Sequence, residues 1–353
     1  MTAQGQDLRR MSADGLDYLR VDAYIGSVID ARSLKTAFET GLIDHLLQRG
    51  SSPPHLLQQA TGVDERGLAM LLALLQSSGV VEQRLGDVRL QADFVSVLRY
   101  RDLLETKLDF AGFLLDDFAD HFTSLIRDPQ QFVAKGRLFE LFDYRRALTS
   151  TFDNWQRTRA WMRLTSTLTR YEARALMAAV DLSAHRQVLD VGGNSGEFVL
   201  QLCRRHPALQ ATVFDLPLVC EIGMEHLLPE PELSRIAFCP GDLRADALPG
   251  GHDLVSFKSM LHDWPQEDAD RFLDAAVQAL APGGSVMVFE RGLLDVQRKP
   301  PGFADLPALL FFRSYRAPEA YMARLSQLGL LDVRCQTLEL DTPFFIVTGR
   351  KAA

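Results

Sequence analysis

Cysteine is scarce in this sequence, and the few that occur are not arranged for a structural role. Cys203, Cys220, Cys239 and Cys335 are scattered among 353 residues without a CxxC pair. That pattern excludes a disulfide framework and a thiolate metal site, and it implies the reduced thiols of a cytoplasmic protein. No HExxH and no close Cys/His spacing occurs, so no metal is expected. Long apolar runs are missing too. The longest, LAMLLALL at 68–75, is far short of the roughly 18 residues that span a bilayer, so no membrane association is expected. The opening MTAQGQDLRRMSADG lacks the apolar core of a secretion signal. Positive charge is in deficit: 38 Lys and Arg stand against 46 Asp and Glu, a net −8. Nucleic acid is therefore not an expected partner, because phosphate binding needs clustered cations.

What is present suggests two domains, since the chain exceeds the roughly 250–300 residues at which single cores stop growing. The first hundred residues read as helices with one hairpin. VIDARSLKTAFETGLIDHLLQRG has helical apolar spacing and a stop at Gly50, and SSPPHLLQQATG reads as a turn and a short helix. VDERGLAMLLALLQSSG has Asp64 as N-cap, apolar residues at 68, 71, 72 and 75, and Gly79 as terminator. VVEQRLGDVRLQ alternates around Gly86-Asp87, a hairpin signal. Three helices and a hairpin make a winged-helix arrangement. Residues 61–95 hold three arginines against Asp64, Glu65, Glu82, Asp87 and Asp93, the wrong balance for reading DNA. A greasy helix of this kind is better suited to burial against a partner subunit.

Residues 101–180 read as helices. Between 145 and 174 lie seven arginines (145, 146, 157, 159, 163, 170, 174) against Asp153 and Glu172. Two readings stand: a solvated face paired with nearby acids, or attraction of an acidic substrate. From about 187 the pattern changes. QVLDVGG, ATVFDL, RIAFCPGD, DLVSFK and SVMVFERG alternate with helical segments at 196–205, 217–228 and 266–281. That is the signature of βαβ units and a parallel sheet covered on both faces. VRCQTLELDTPFFIVTGRK adds two strands joined at Asp341-Thr342-Pro343, which makes the sheet mixed.

In open α/β sheets, ligands bind beyond the carboxyl ends of the strands. The first strand ends at Asp190 and runs into GGNSGEF, whose glycines permit close backbone approach ahead of a helix N-terminus. The second ends at Asp215, suited to the hydroxyls of a ribose. Asp242 follows the third, Lys258 and His262 the fourth, and Glu290 ends the fifth. Singly, each has a bland reading as a cap, a turn or an ion pair. Together at consecutive strand ends they describe a nucleoside site. GGNSG lacks GxGxxG spacing and no GKS/T occurs, so NAD and ATP fit poorly. Asp190 beside the glycines suits a cationic ammonium better than phosphates. S-adenosylmethionine has an ammonium, a carboxylate, a ribose and an adenine, and no phosphate.

VLDVGGNSGEFVLQLCRRHP, FDLP, PGDL, LVSFKSMLHDWPQEDADRFL and APGGSVMVFE, in that order, resemble the caffeate and hydroxyindole class of S-adenosylmethionine-dependent O-methyltransferases. The likeness covers nearly the whole chain. It implies a Rossmann-like class I methyltransferase domain with a mixed seven-stranded sheet, behind an N-terminal helical winged-helix dimerisation domain. The implied boundaries are 1–105 for the dimerisation domain, 106–180 for linking and acceptor-pocket helices, and 181–353 for the catalytic domain. A homodimer, a small-molecule acceptor and the product S-adenosylhomocysteine follow from the same likeness. In the cofactor site it implies Asp190, Gly192, Gly193 and Gly196 at the methionine end, Asp215 with Leu216 at the ribose, Asp242 with Leu243 at the adenine, and Lys258 nearby. His262 matches the family's general base and Glu290, 28 residues on, the glutamate that orients it. Trp161, Met162 and Asp263 fall where the acceptor pocket is expected.

One stretch departs from the family pattern. The usual second glutamate is absent from FFRSYRAPEAYM, where Ser314 or Tyr315 stands near its place, and Glu319 falls in the next helix. Arg313 and Arg316 occupy this segment instead and suggest an acceptor with a carboxylate or other negative charge. The departure leaves open N- or C-methylation, or a relative that keeps the cofactor without transferring methyl groups. A winged-helix regulator would need a basic face, which the sequence does not provide.

Overall fold

Ser27 opens the first helix, α1 (Val28–Glu39), by accepting a hydrogen bond from Asp30 N in the computed structural model, which describes residues 17–140, 142–297, 300–311 and 314–353. The sequence reads 28–50 as one helix. The structure breaks it, because Gly41 takes a left-handed φ of 74° and starts a second helix, α2 (Leu42–Arg49). α3 (Pro54–Thr61) follows. Asp64 caps α4 (Glu65–Ser77) through Arg66 N and Gly67 N, as its position suggests. α4 buries Leu68, Leu71, Leu72 and Leu75 and leaves Met70 exposed. Strands β1 (Val81–Arg84) and β2 (Asp87–Leu90) pair antiparallel around Leu85 and Gly86, whose φ angles of 54° and 91° give a loop twisted to suit a tight hairpin. α5 (Ala92–Val97), α6 (Arg101–Arg127) and α7 (Pro129–Lys135) complete this unit, which also takes in Val296–Pro307.

The second unit begins at Gly136 and contains the sheet. Its first long helix, α8 (Phe152–Ala179), is capped by Thr151. Then come β3 (Gln187–Val191), α9 (Glu197–Arg205), β4 (Gln210–Asp215), α10 (Pro217–Leu227), β5 (Ile236–Pro240), β6 (His252–Lys258), α11 (Gln266–Ala279) and β7 (Leu280–Arg291). α12 (Leu306–Phe311), α13 (Pro318–Gln327), β8 (Leu331–Glu339) and β9 (Pro343–Arg350) follow. The strand order is β5-β4-β3-β6-β7-β9-β8, parallel from β5 to β7 and antiparallel where β9 meets β7 and β8. The mixed seven-stranded sheet expected from the sequence is therefore present.

This order positions the site. The chain steps outward from β3 to β5, then returns to lay β6 on β3's other side. Connections diverge there, and a crevice opens beyond the carboxyl ends of β3 and β6. On one sheet face, Val191, Phe257 and Val288 join Phe272 of α11 and Tyr321 of α13 in a single core. Phe257 and Phe272 are 0% and 1% exposed, and each contributes about 1.5–3 kcal/mol by leaving water. Asp190 and Ser256 are register partners in the β3–β6 pairing, so their side chains share a sheet face. Among the described residues, no helix is long and apolar enough to cross a membrane.

Candidate active site

The glycine loop leaves β3 at Asp190. A Cβ on Gly192 would stand 2.5 Å from Met260 Cγ, and Gly192 also has a left-handed φ of 68°, so a side chain is doubly excluded. A Cβ on Gly193 would lie 2.7 Å from Asp190 Oδ2. Asp190 is 1% exposed. Its Oδ1 accepts from Ser256 Oγ at 2.7 Å, while Oδ2 has no partner among the described residues. Burial pushes this carboxyl up to about 7, against the pull of Ser256 and Lys258 and with a push from Asp215. Asp215 accepts from Asn194 N at 2.8 Å and from Leu216 N at 2.7 Å, and burial pushes it up to about 6 in spite of both bonds. A buried carboxylate oxygen without a donor is costly in free energy. A cationic, hydrogen-bonding ligand relieves that cost, and the cofactor's ammonium fits.

Two other strand-end residues are already engaged. Asp242 pairs with Arg244 at 2.7 Å, which holds its carboxyl below the usual range, and Leu243 packs at the edge of the sheet core. Lys258 reaches α8, bonding Thr169 Oγ1 at 2.9 Å and Glu172 Oε2. Glu172, 4% exposed, also receives Arg291. α8 is pinned across the glycine loop as well: Ser166 donates to Ser195 Oγ at 2.6 Å, and Arg170 pairs with Glu197 at 3.1 Å. The arginine-rich stretch is largely matched locally. Arg145 pairs with Asp143 and Arg157 with Asp153, while Arg159 and Arg174 lie over the rings of Trp155 and Tyr171.

His262 sits in a single turn, Leu261–Asp263, just past β6. Its Nδ1 lies 2.7 Å from Glu290 Oε2. Glu290 is 1% exposed, and its other oxygen accepts from Met260 N and Leu261 N at 2.8 Å each. Asp263 Oδ1 lies 3.4 Å from His262 Nε2, and Tyr144 donates to Asp263 Oδ2 at 2.6 Å. Burial alone would depress the imidazole, but Glu290 and Asp263 outweigh it, and its pKa stands above the ordinary value. Burial raises the Glu290 carboxyl, but His262 and the N–H groups of Met260 and Leu261 together outweigh it, so the net direction is down. Burial raises Asp263 and pushes Tyr144 well up.

The rings around His262 are aromatic. Phe311 and Tyr315 meet the imidazole edge-on at 5.7 and 5.3 Å. Phe142 touches both Phe311 and Trp161, and Tyr144 touches both Trp161 and Trp264. Trp161 thus joins the chamber, with its Nε1 buried and without a hydrogen-bond partner among the described residues. Met162 is buried with Leu218, Val219 and Ile222, and Trp161 belongs to the same cluster. Arg316 does not face a ligand with its bonded donors. They go to the carbonyls of Leu261, at 2.8 Å, and Trp264. Arg313 lies outside the described residues.

The structure therefore brings His262, Glu290 and Asp263 together and links them through Met260 to the glycine loop. Sequence reading missed Met260, Tyr144, Arg244, Ser256 and Glu172. Ser256 alone carried a usable signal, a polar residue inside an apolar strand and fully buried. Among the described residues, no group of three or more His, Cys, Asp or Glu side chains is arranged to hold a metal ion.

Comparison with known proteins places the chain in a family. Residues 133–313 match the family model described as an O-methyltransferase domain. The chain is 30% identical over 335 residues to a 3-hydroxy-5-methyl-1-naphthoate 3-O-methyltransferase of Streptomyces sahachiroi, covering 91% of this chain and 92% of that one. It is 26% identical over 307 residues to a mitomycin biosynthesis 6-O-methyltransferase of Streptomyces lavendulae, covering 85% of each. Its fold matches human N-acetylserotonin methyltransferase, solved in complex with SAM, with a TM-score of 0.71 at 23% identity over 100% of each chain. It also matches the mitomycin 7-O-methyltransferase MmcR, with a TM-score of 0.69 at 24% identity over 91% of this chain and 94% of that one. The family match over residues 133–313, with a relative 30% identical over 91% of the chain, leads to one conclusion: the chain belongs to the O-methyltransferase domain family and is an S-adenosylmethionine-dependent O-methyltransferase.

Proposed function

We propose that the protein methylates a hydroxyl of a small aromatic or polyketide-like acceptor, with His262 as general base. The observation that carries this reading is the buried His262–Glu290 pair, enclosed by aromatic rings and joined through Met260 to the glycine loop. The relatives' own names, a hydroxynaphthoate and a mitomycin methyltransferase, support an aromatic or polyketide-like acceptor.

Bound S-adenosylmethionine supplies an electrophilic methyl group on a positively charged sulfur. Asp190 Oδ2 is free to accept from its ammonium, and Asp215 keeps lone pairs for ribose hydroxyls, flanked by Leu216. Asp242, beside Leu243, is engaged by Arg244, and Lys258 spends two of its three N–H donors on Thr169 and Glu172. We therefore assign the primary contacts to Asp190 and Asp215 with Gly192, Gly193 and Gly196. Glu290 holds His262 Nδ1 as the N–H donor, which leaves Nε2 with the lone pair. Nε2 takes the acceptor's proton, and the imidazolium then lies between Glu290 and Asp263. A base so placed contributes about 10²–10⁴-fold, and positioning of the acceptor up to about 7–11 kcal/mol.

The wall around the base is aromatic and acidic. It favours a flat acceptor with no carboxylate adjacent to the reacting hydroxyl, and Arg316, bonded to backbone carbonyls, does not change that. The working form is proposed to be a homodimer built through residues 1–105 and the helices that follow. Met70, Phe113 and Ile126, 65%, 52% and 54% exposed, are apolar surface that a second copy would cover.

His262→Ala tests the central claim. Calorimetric titration should show unchanged S-adenosylmethionine affinity, and mass spectrometry of the acceptor a turnover loss of about 10²–10⁴-fold. Turnover near that of the parent enzyme removes the base assignment.

A further inference from the structure

Arg316 lies in the segment where the sequence departs most from its family. Its NH1 donates to Leu261 O at 2.8 Å and reaches Tyr321 Oη at 3.4 Å, and its NH2 donates to Trp264 O. These two carbonyls bracket the turn that carries His262. On the other side of that turn, Glu290 Oε1 takes the N–H groups of Met260 and Leu261. The turn is therefore held by its N–H groups from a β7 carboxylate and by its carbonyls from a guanidinium ahead of α13.

A single 3₁₀ turn has too few internal hydrogen bonds to persist unaided. Leu261 O already accepts the turn's own bond from Trp264 N at 3.3 Å, and Arg316 adds an outside donor to it and to Trp264 O, a pair that few groups can reach at once. A guanidinium can, because its donors fan out in a rigid plane, whereas an ammonium is a point charge on a flexible stem. Charge-assisted bonds are also the stronger kind. The next residue back, Tyr315, is 6% exposed and lays its ring against the imidazole, so the same short segment restrains both the backbone and the side chain of His262.

We infer that Arg316 is a positioning residue for His262, a clamp that holds the base turn in register with Glu290, and not a contact for an anionic acceptor. The inference rests on His262 being the base. Its failure and the failure of that assignment are told apart by combining Arg316 variants with His262→Ala.

The experiment uses the full-length enzyme and four variants: Arg316→Ala, Arg316→Lys, His262→Ala and the double variant Arg316→Ala/His262→Ala. A base turn displaced by about 1 Å costs about 10²-fold in rate, so Arg316→Ala should lose about that much kcat. Calorimetric S-adenosylmethionine affinity and acceptor KM should stay near the parent values. Added guanidinium chloride at millimolar concentration should restore a large part of the lost kcat of Arg316→Ala and none in Arg316→Lys. The double variant should be no slower than His262→Ala alone, because the clamp acts through the residue already removed. Arg316→Lys should lose kcat too, and it keeps the test usable if the alanine variant does not fold. The inference is overturned if acceptor KM rises at unchanged kcat, if Arg316→Lys turns over like the parent, or if the arginine loss adds in full to that of His262→Ala. Turnover retained in His262→Ala itself would sink the base assignment instead.

Discussion

Replacing Glu290 by glutamine changes one oxygen to an amide nitrogen and alters the catalytic site in a defined way. Glu290 accepts three hydrogen bonds, two from the backbone N–H groups of Met260 and Leu261 at 2.8 Å and one from His262 Nδ1 at 2.7 Å. The glutamine carbonyl can keep the two backbone bonds. Its amide then faces Nδ1 and can only donate, which moves the ring proton to Nε2, the nitrogen that holds the lone pair in the proposed mechanism. The imidazolium formed on proton uptake also loses its buried counter-charge. A hydrogen bond to a charged group contributes about 1.5–3 kcal/mol, which is about 10- to 150-fold in rate. The pH profile carries a second signature. Glu290 is the first of the charges raising His262, with Asp263 behind it, Arg291 opposing, and burial working against both carboxylates. Without Glu290 the imidazole pKa falls, so the acidic limb of kcat/KM moves to lower pH while the plateau drops. Steady-state kinetics across pH, with calorimetry to show unchanged cofactor affinity, reads both. A plateau within twofold of the parent, or a limb that moves to higher pH, refutes the reasoning.

Tyr144→Phe removes the bond to Asp263 Oδ2 and frees that carboxylate to rotate away from His262 Nε2; kcat should fall about 10-fold, from a loss of about 1.5 kcal/mol, with cofactor affinity unchanged by calorimetry. Gly192→Ala meets Met260 Cγ at 2.5 Å at a φ of 68°, so a loss of about 1–3 kcal/mol is expected in thermal unfolding, together with weaker S-adenosylmethionine binding; a variant as stable as the parent with full affinity contradicts the close approach. Asp190→Asn should stabilise the ligand-free protein at pH 8. The native carboxyl titrates near 7 instead of 3.8, a destabilisation of about 4 kcal/mol at most that is present above pH 7 and gone below pH 4. Melting curves at pH 8 and pH 4 check the sign, and the same variant should bind S-adenosylmethionine less tightly.

Much of this was legible from the chain because strand ends announce themselves. β-rich runs that terminate in Asp190, Asp215 and Lys258, followed by His262 and Glu290, give both the sheet and the residues at its rim. Cap and turn chemistry was legible for the same local reason: Asp64 caps α4, and Gly86 turns the hairpin. Gly41 was not read as a break, because one glycine inside a helical apolar pattern costs only about 1 kcal/mol and is often tolerated. The partners of rim residues were hidden by distance along the chain. Tyr144 lies 119 residues from Asp263, and Glu172 lies 86 from Lys258, with no periodicity linking either pair. The partners of Arg316 were hidden for another reason. Sequence shows which side chains carry charge, but its partners are backbone carbonyls, which have no letter in the sequence.

The acids at the rim fall into two groups, and the division explains what the site can do. Glu290 and Asp242 have cationic or N–H partners that hold their carboxyls below the ordinary range, so they are charged and settled before any ligand arrives. Asp190 and Asp215 are held above that range by burial, and Asp190 keeps one oxygen without a donor among the described residues. The settled group is fixed within the chain: Glu290 holds the His262 imidazole at 2.7 Å, and Asp242 anchors Arg244, whose guanidinium lies over Trp264 at 5.6 Å. The unsettled group lowers the stability of the free protein and can recover that stability when a cation and its hydroxyls bind, so that ligand affinity and folding stability become linked. Had every acid at this edge found a partner within the chain, the fold would be more stable and the strand ends would have no unmet carboxylate left for the ammonium of the proposed site.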